Sequence, residues 1–392
     1  YVYNVDGLTF QLLDSTGAVV NTSGSQSGTQ SITPVDVPLY QNSLTISDTS
    51  RFILVFGTND YGSSTLDPML IRWSNQDDPY NWTPDATNQA GSSRLSHGSQ
   101  IVTTVQTRQE IVVITDSSVY SLQYLGPPYV WQPQLLGDNI SIISPNAAVI
   151  ASGVVYWMGV DKFYAYDGRV QTLNCDLRRH VFSDINRLQQ YQVFCGTNEG
   201  FNEVWWFYCS ANSTTIDKYV VYNYLEKVWY YGTMARTAWL DSGLRDYPLA
   251  ATYSYNLVNH EQGLNDNETG TEAAINAYIS SSEFDIGDGH NFGFIWRVLP
   301  DLTFENSENN GATPPQVTMT LYGLANSGSG AISNVSQPVS QGASYVITEE
   351  FTGQIYTRVR GRQLIFKIGS NQINTAWQLG APRIDIRPDG RR

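Results

Sequence analysis

The sequence predicts a mainly β protein with very little helix: a β-propeller-like core and an additional β-sandwich-like module. Three observations predict this. Short runs of β-branched and aromatic residues recur between Gly, Asn, Asp and Ser, as in Val204-Trp-Trp-Phe-Tyr208, Lys218-Tyr-Val-Val-Tyr-Asn-Tyr224 and Val228-Trp-Tyr-Tyr231. Sets of such runs begin near Arg51, Gln100 and Ala147, with a further set from Val193 to Trp239, a spacing of roughly 50 residues that suits a propeller blade. The chain also carries 10 Trp, 25 Tyr and 14 Phe against only 15% charged residues, an aromatic load suited to packed strand ends.

In chain order, Tyr1–Asp14 alternates well enough for one or two strands, and residues 15–33 form a long Ser/Thr/Gly/Gln-rich loop. Arg51-Phe-Ile-Leu-Val-Phe56 is a strand that ends in the turn cluster 57–62. Ile101–Val105 and Glu110–Ile114 are two strands joined by a polar turn, and Asp116–Tyr124 supplies the next hairpin partner. Gly126-Pro-Pro-Tyr-Val-Trp131 interrupts the pattern, because proline cannot donate to a central ladder. Further strands follow over 147–168, and the turn 223–227 joins two aromatic runs. Asp176–Leu188 is the one helix candidate, its apolar positions 177, 181, 182, 185 and 188 recurring at three and four.

At 392 residues the chain is long for a single core. Composition shifts after Trp239, so residues 1–240 are assigned to the propeller-like region. Residues 241–392 form the additional module with long loops, or one whose C-terminal strands return to the propeller. Tyr1 in place of Met marks either a removed leader or a fragment. No apolar run approaches membrane-spanning length, and the expectation is a soluble chain with no membrane insertion. Cys175, Cys195 and Cys209 make no disulfide framework or C-x-x-C motif and read as free thiols, although Cys195 and Cys209 flank a hairpin on which they could face each other.

Candidate chemistry is sparse. The four histidines have no zinc spacing, and serine-nucleophile, phosphate-loop and sialidase-box motifs are absent. Residues 285–290 offer two carboxylates near glycines but lack a full calcium-loop pattern and read as a turn. No cofactor and no catalytic role is expected. The string Asp77, Asp78 and Trp82 reads either as Asx-type turns with a tucked aromatic or as a carboxylate pair beside a sugar platform. Charge is uneven: residues 351–392 hold eight of 22 basic residues and two of 36 acids, giving +6, while the rest carries −20. Arg358, Arg360 and Arg362 alternate, so in one strand all three share a face. With Arg387 and Arg391 they form a candidate surface for docking on an acidic neighbour.

The string Ile71-Arg-Trp-Ser-Asn-Gln-Asp-Asp-Pro-Tyr-Asn-Trp-Thr-Pro84 resembles an R-W-S-x-x-x-D-P-x-x-W-x-P segment of tail proteins of short-tailed bacteriophages. Residues 99–122, Gly153-Val-Val-Tyr-Trp-Met-Gly159, Phe163–Gly168 and Gly380–Arg391 are similar to the same group. The resemblance is to the tail nozzle, or tail tubular protein B (head-stabilisation, tail-hub), family. It runs over roughly residues 65–240 and returns at the C-terminus, and its motifs are structural strings. It implies a virion protein: a hexameric ring below the head-to-tail adaptor, with an axial channel and plug for genomic DNA and side surfaces for fibres or spikes. An acidic wall fits that role, since phosphate contacts that would retain DNA require cations. The alternative is a carbohydrate-binding or glycan-cleaving β-propeller domain, with Asp77, Asp78 and Trp82 as its contacts. A third reading is a propeller scaffold inside a cell.

Overall fold

The computed structural model describes residues 2–6, 9–12, 18, 36–308, 315–340 and 354–390. It is mainly β. Four successive four-stranded antiparallel meanders follow one another along the chain. The first comprises Ser43–Ser47, Phe52–Asn59, Leu66–Trp73 and Gly91–Arg94. The second comprises Ile101–Gln106, Ile111–Thr115, Ser118–Gly126 and Val130–Asp138. The third runs Ala148–Ala151, Val154–Met158, Phe163–Tyr166 and Val170–Leu173, and the fourth Phe194–Asn198, Glu203–Tyr208, Lys218–Asn223 and Val228–Thr233. A four-stranded meander is the unit from which propeller blades are built.

Burial explains why these runs make strands. Ile111–Thr115 and Glu203–Tyr208 are inner strands, buried along their whole length, and read as continuous apolar or aromatic runs. The edge strand Ser43–Ser47 alternates, one side chain in and the next out. The loop 15–33 lies outside the described residues, apart from Ala18.

Three local expectations change. Residues 57–59 continue the strand from Phe52, because Gly57, at φ 68°, takes the irregular position between Phe56 and Thr58. The interruption is only the turn 127–129, since Gly126 ends one strand and pairs with Val130, which opens the next; that strand keeps Pro133 because it is an edge strand. The helix is shorter than its periodicity: Arg178–Asp184, ended by extended backbone at Ile185, then a 3-10 segment Arg187–Gln192. Val181 and Ile185 are buried, but Leu188 is 86% exposed, since the helix ends before it joins their face. The turn at 223–227 holds as expected: the Asn223 side chain accepts from the Leu225 and Glu226 amides, and Asn223 pairs with Val228.

The chain divides into two compact units, Tyr1–Ile142 with Tyr166–Gln171, and Ile143–Ala165 with Thr172–Arg392. This division follows compactness, whereas the boundary at residue 240 follows composition. In the first unit, Phe52, Leu54, Phe56, Ile71, Trp73 and Trp131 belong to a core shared by the first two meanders.

In the second unit, described residues beyond 275 form two larger facing sheets and a short pair, Leu302–Thr303 with Gln378–Leu379. One contains Ala277–Ser280 and Phe284–Asp285 on Gln363–Ser370, which pairs with Gln316–Leu324, itself paired with Ala331–Ser340. The other orders Ile355–Gly361, Gly293–Leu299 and Arg383–Pro388. Their inner faces supply one core that includes Ile295, Val298, Met319, Leu321, Val359 and Phe366. Every second residue of Gln363–Ser370 is buried, as expected of a sandwich strand. The C-terminal strands thus pair within this module.

Candidate functional site

The C-terminal arginines lie on the outer face of the three-stranded sheet. Thr357 and Val359 point into the module and are buried, so Arg358 and Arg360 face outward. Phe294 lies opposite Arg360 on one neighbouring strand and Arg387 on the other, which places all three on one side. Beyond an irregularity at Ile295–Arg297, Arg297 lies opposite Tyr356 and Asp385. Arg362 departs from the expected alternation: it stands at the bend after Gly361, outside the strand. Its guanidinium still joins that of Arg360 over the Phe292 ring, at 4.8 and 4.1 Å from the centroid. Arg387 and Arg297 both lie over Trp296, at 4.6 and 4.9 Å. Trp296 in turn neighbours Tyr356, which is 66% exposed. Asp385 pairs with Arg297 and Asp389 with Arg360. Arg358 is exposed and has no ion pair among the described residues. Arg391 lies outside the described residues.

These contacts define the electrostatics of the face. A guanidinium flat on an aromatic ring gains cation–π attraction while keeping its N–H edges available. The result is a set of oriented donors suited to planar oxyanions.

The Asp77–Asp78–Trp82 string is arranged differently. Asp77 pairs with Arg51 at 2.9 Å, and Asp78 Oδ1 accepts from the Tyr80 amide at 3.1 Å. Trp82 is buried, its Nε1 donating to the Pro79 carbonyl at 2.9 Å. Its ring is therefore no open platform beside the two carboxylates. Asp77 and Asp78 do border a cavity of about 320 Å³, with Asp48, Arg51, Ile46 and Phe52. Arg72 of the same string is 2% exposed, and its guanidinium donates to the carbonyls of Asn59, Asp36 and Trp82. Burial draws its pKa down, opposed by the nearby Asp60 and Asp36 carboxylates.

A third cluster was not anticipated. Glu203, buried at the head of an aromatic strand, accepts from Tyr230 on one oxygen and from Trp205 Nε1 and Asn198 on the other. The same Asn198 amide donates to Glu261 at 3.2 Å. The Glu261 residue is open to solvent, yet desolvation of its carboxyl, together with the charge of Glu203, raises its pKa. Next to it, His260 packs at a tilt against Trp239 and accepts from Arg236 Nε at 3.0 Å. Burial, with the Arg236 charge, pulls the imidazole down to about 4. Trp239 also stacks on Trp205. The one sequence signal was an acid placed directly before Val204-Trp-Trp. Chemically, the cluster sets a carboxylate that accepts three donors, Glu203, beside a second one, Glu261, whose pKa is raised.

Of the earlier candidates, Asp285 accepts from Gln363 on the paired strand, and Asp288 accepts from the His290 amide as a turn contact. Among the described residues, no three or more His, Cys, Asp or Glu are grouped to hold a metal ion. All three cysteines are free. Cys195 lies opposite Trp206 in its hairpin, so it does not face Cys209. Desolvation raises all three thiols, Cys209 to about 11 and Cys175 to about 12.

By sequence, no family model and no curated protein matches the chain. By structure, it is similar to an exo-β-1,3-galactanase from Phanerochaete chrysosporium, at 12% identity over 95% of this chain and 98% of that one, with a TM-score of 0.26. It is also similar to the extracellular domain of a one-component system from B. thetaiotaomicron (10% identity, 83% and 46% covered, TM-score 0.32). A further likeness is to the N-terminal domain of Nup159 (9%, 67% and 87% covered, TM-score 0.28). Likeness at this level says nothing of what this chain binds.

Proposed function

We infer that this chain is a structural, non-catalytic component of a short-tailed phage tail, acting in a nozzle or hub that conducts genomic DNA. The tail assignment rests on the resemblance of its strings. The observation that supports a structural role is how the R-W-S string is used. Arg72 is committed to three carbonyls, Trp73 Nε1 to the Gln89 carbonyl and Ser74 Oγ to the Asn75 carbonyl. These groups hold the first meander together and leave no reacting atom. In this reading the chain assembles as a ring on an adaptor protein, presents surfaces to fibres or spikes and resides in the virion. Its net charge of −14 favours passage of DNA without retention. Negative-stain imaging of the purified protein, alone and with the adaptor, tests it: sixfold rings with a central hole are expected. Discs that stay single in both samples would refute it.

A second reading, a carbohydrate-binding or glycan-cleaving β-domain, is favoured by the Glu203–Glu261 pair beside stacked aromatics. Release of reducing sugar from a bacterial surface polysaccharide, lost in Glu203→Gln and Glu261→Gln, would establish it. Loss in Asp77→Asn and Asp78→Asn alone would move the site to the Asp77 cavity.

A further inference from the structure

We propose that the outer face of the sheet Ile355–Gly361, Gly293–Leu299 and Arg383–Pro388 binds an Asp/Glu-rich surface of a protein partner. The face carries Arg297, Arg358, Arg360, Arg362 and Arg387 against two acids, Asp385 and Asp389. Such an excess of one sign is unusual on a chain whose remaining residues are strongly acidic.

Two features distinguish this face from an ordinary solvated one. The guanidiniums of Arg360, Arg362, Arg297 and Arg387 are laid on Phe292 and Trp296 rather than extended into water. Each therefore meets a partner with less conformational freedom left to lose. The face also shows its ligand chemistry internally, since Arg297 and Arg360 already hold the carboxylates of Asp385 and Asp389. Arg387 and Arg358 are exposed and carry no such carboxylate among the described residues. A carboxylate delivered by a partner would complete the same arrangement, with Tyr356 as an exposed aromatic contact beside it.

Charge decides between protein and nucleic acid. A duplex is a continuous polyanion and would run past the patch onto the acidic remainder of the chain. An acidic protein surface has a limited footprint and avoids that repulsion. The surface stands independently of the tail assignment, because any acidic partner satisfies it.

The test uses the full chain with a fluorescein-labelled oligoglutamate peptide, an uncharged oligoserine peptide and a short DNA duplex, read by anisotropy across a salt series. Saturable binding of oligoglutamate is expected, weakening as salt rises. Arg358→Gln with Arg387→Gln should lower that affinity about tenfold, a loss typical of removing charged contacts. Arg387→Lys keeps the charge without the flat guanidinium and should fall between. If the double variant melts earlier than the parent, Arg358→Gln alone carries the test, since that side chain lies over no ring among the described residues. The proposal is overturned by absence of oligoglutamate binding, by equal affinity in the variants, or by tighter binding of the duplex.

Discussion

Arg72 and the C-terminal arginines present one side chain in two opposite settings. Arg72 is enclosed in the first meander and spends its donors on carbonyls of its own chain. Arg360 and Arg387 lie on rings at a surface, Arg360 paired with Asp389 and Arg387 without a carboxylate among the described residues. The first stands in the string most specific to the eye, and its position makes it architectural. The second comes from a charge asymmetry that carries no motif, and its position at the surface keeps Arg387 available to act on something else. Motif specificity and functional availability are therefore separate properties, and burial decides between them.

The contrast can be broken most forcefully at Arg72. Arg72→Met should leave three carbonyls, two of them buried, short of donors and destabilise the protein by about 3 kcal/mol, read as a lower urea midpoint. An unchanged midpoint would remove the structural assignment of the string. A smaller effect is expected at Gly196, where an added Cβ would run into the Trp239 ring. Gly196→Ala should cost about 1–3 kcal/mol through overpacking and shift the tryptophan emission as the Trp205–Trp239 stack moves.

His260 supplies a pH test. Its folded pKa lies near 4, below the ordinary 6.5, so the neutral imidazole is favoured in the folded chain. That contribution is complete above pH 6.5 and is lost as pH falls toward 4, where the unfolded chain gains the proton first. Glu261, with its raised pKa, acts in the opposite sense: its contribution is present at low pH and lost as pH rises. His260→Asn should therefore lose less melting temperature than the parent between pH 7 and 5, and a parallel pair of curves would contradict this. The smallest stability effect belongs to the surface. Arg358→Gln with Arg387→Gln should change unfolding free energy by no more than about 0.5 kcal/mol, while altering oligoglutamate binding as described above.

Much of the fold was legible because strands encode burial locally. The fully buried run Glu203–Tyr208 and the alternating Gln363–Ser370 each show their environment in residue order. The starts of the last three meanders followed from the same patterns, whereas the first begins at Ser43, one strand before the expected start near Arg51. Leu188 was misplaced because periodicity marks which residues share a face only while the helix continues. Arg362 was misplaced because alternation does not reveal where a strand bends. The Glu203–Glu261 cluster was illegible for another reason: its members are brought together by pairing between distant strands and loops, and each alone is an ordinary residue. The basic face was half legible. Its charges could be counted, but Phe292 and Trp296, on which they rest, belong to a segment remote in sequence.

The thiols have a practical consequence. With Cys175 and Cys209 raised well above neutral pH and Cys195 shifted the same way, few thiolates form under ordinary conditions. Thiolate is the species that alkylates and exchanges. The native chain should therefore react sluggishly with maleimide and resist scrambling in oxidising medium. A cysteine placed at exposed Arg358 would become the preferred point of labelling, giving a fluorophore or cross-linker a defined position on the basic face without first stripping the protein of its own sulfur.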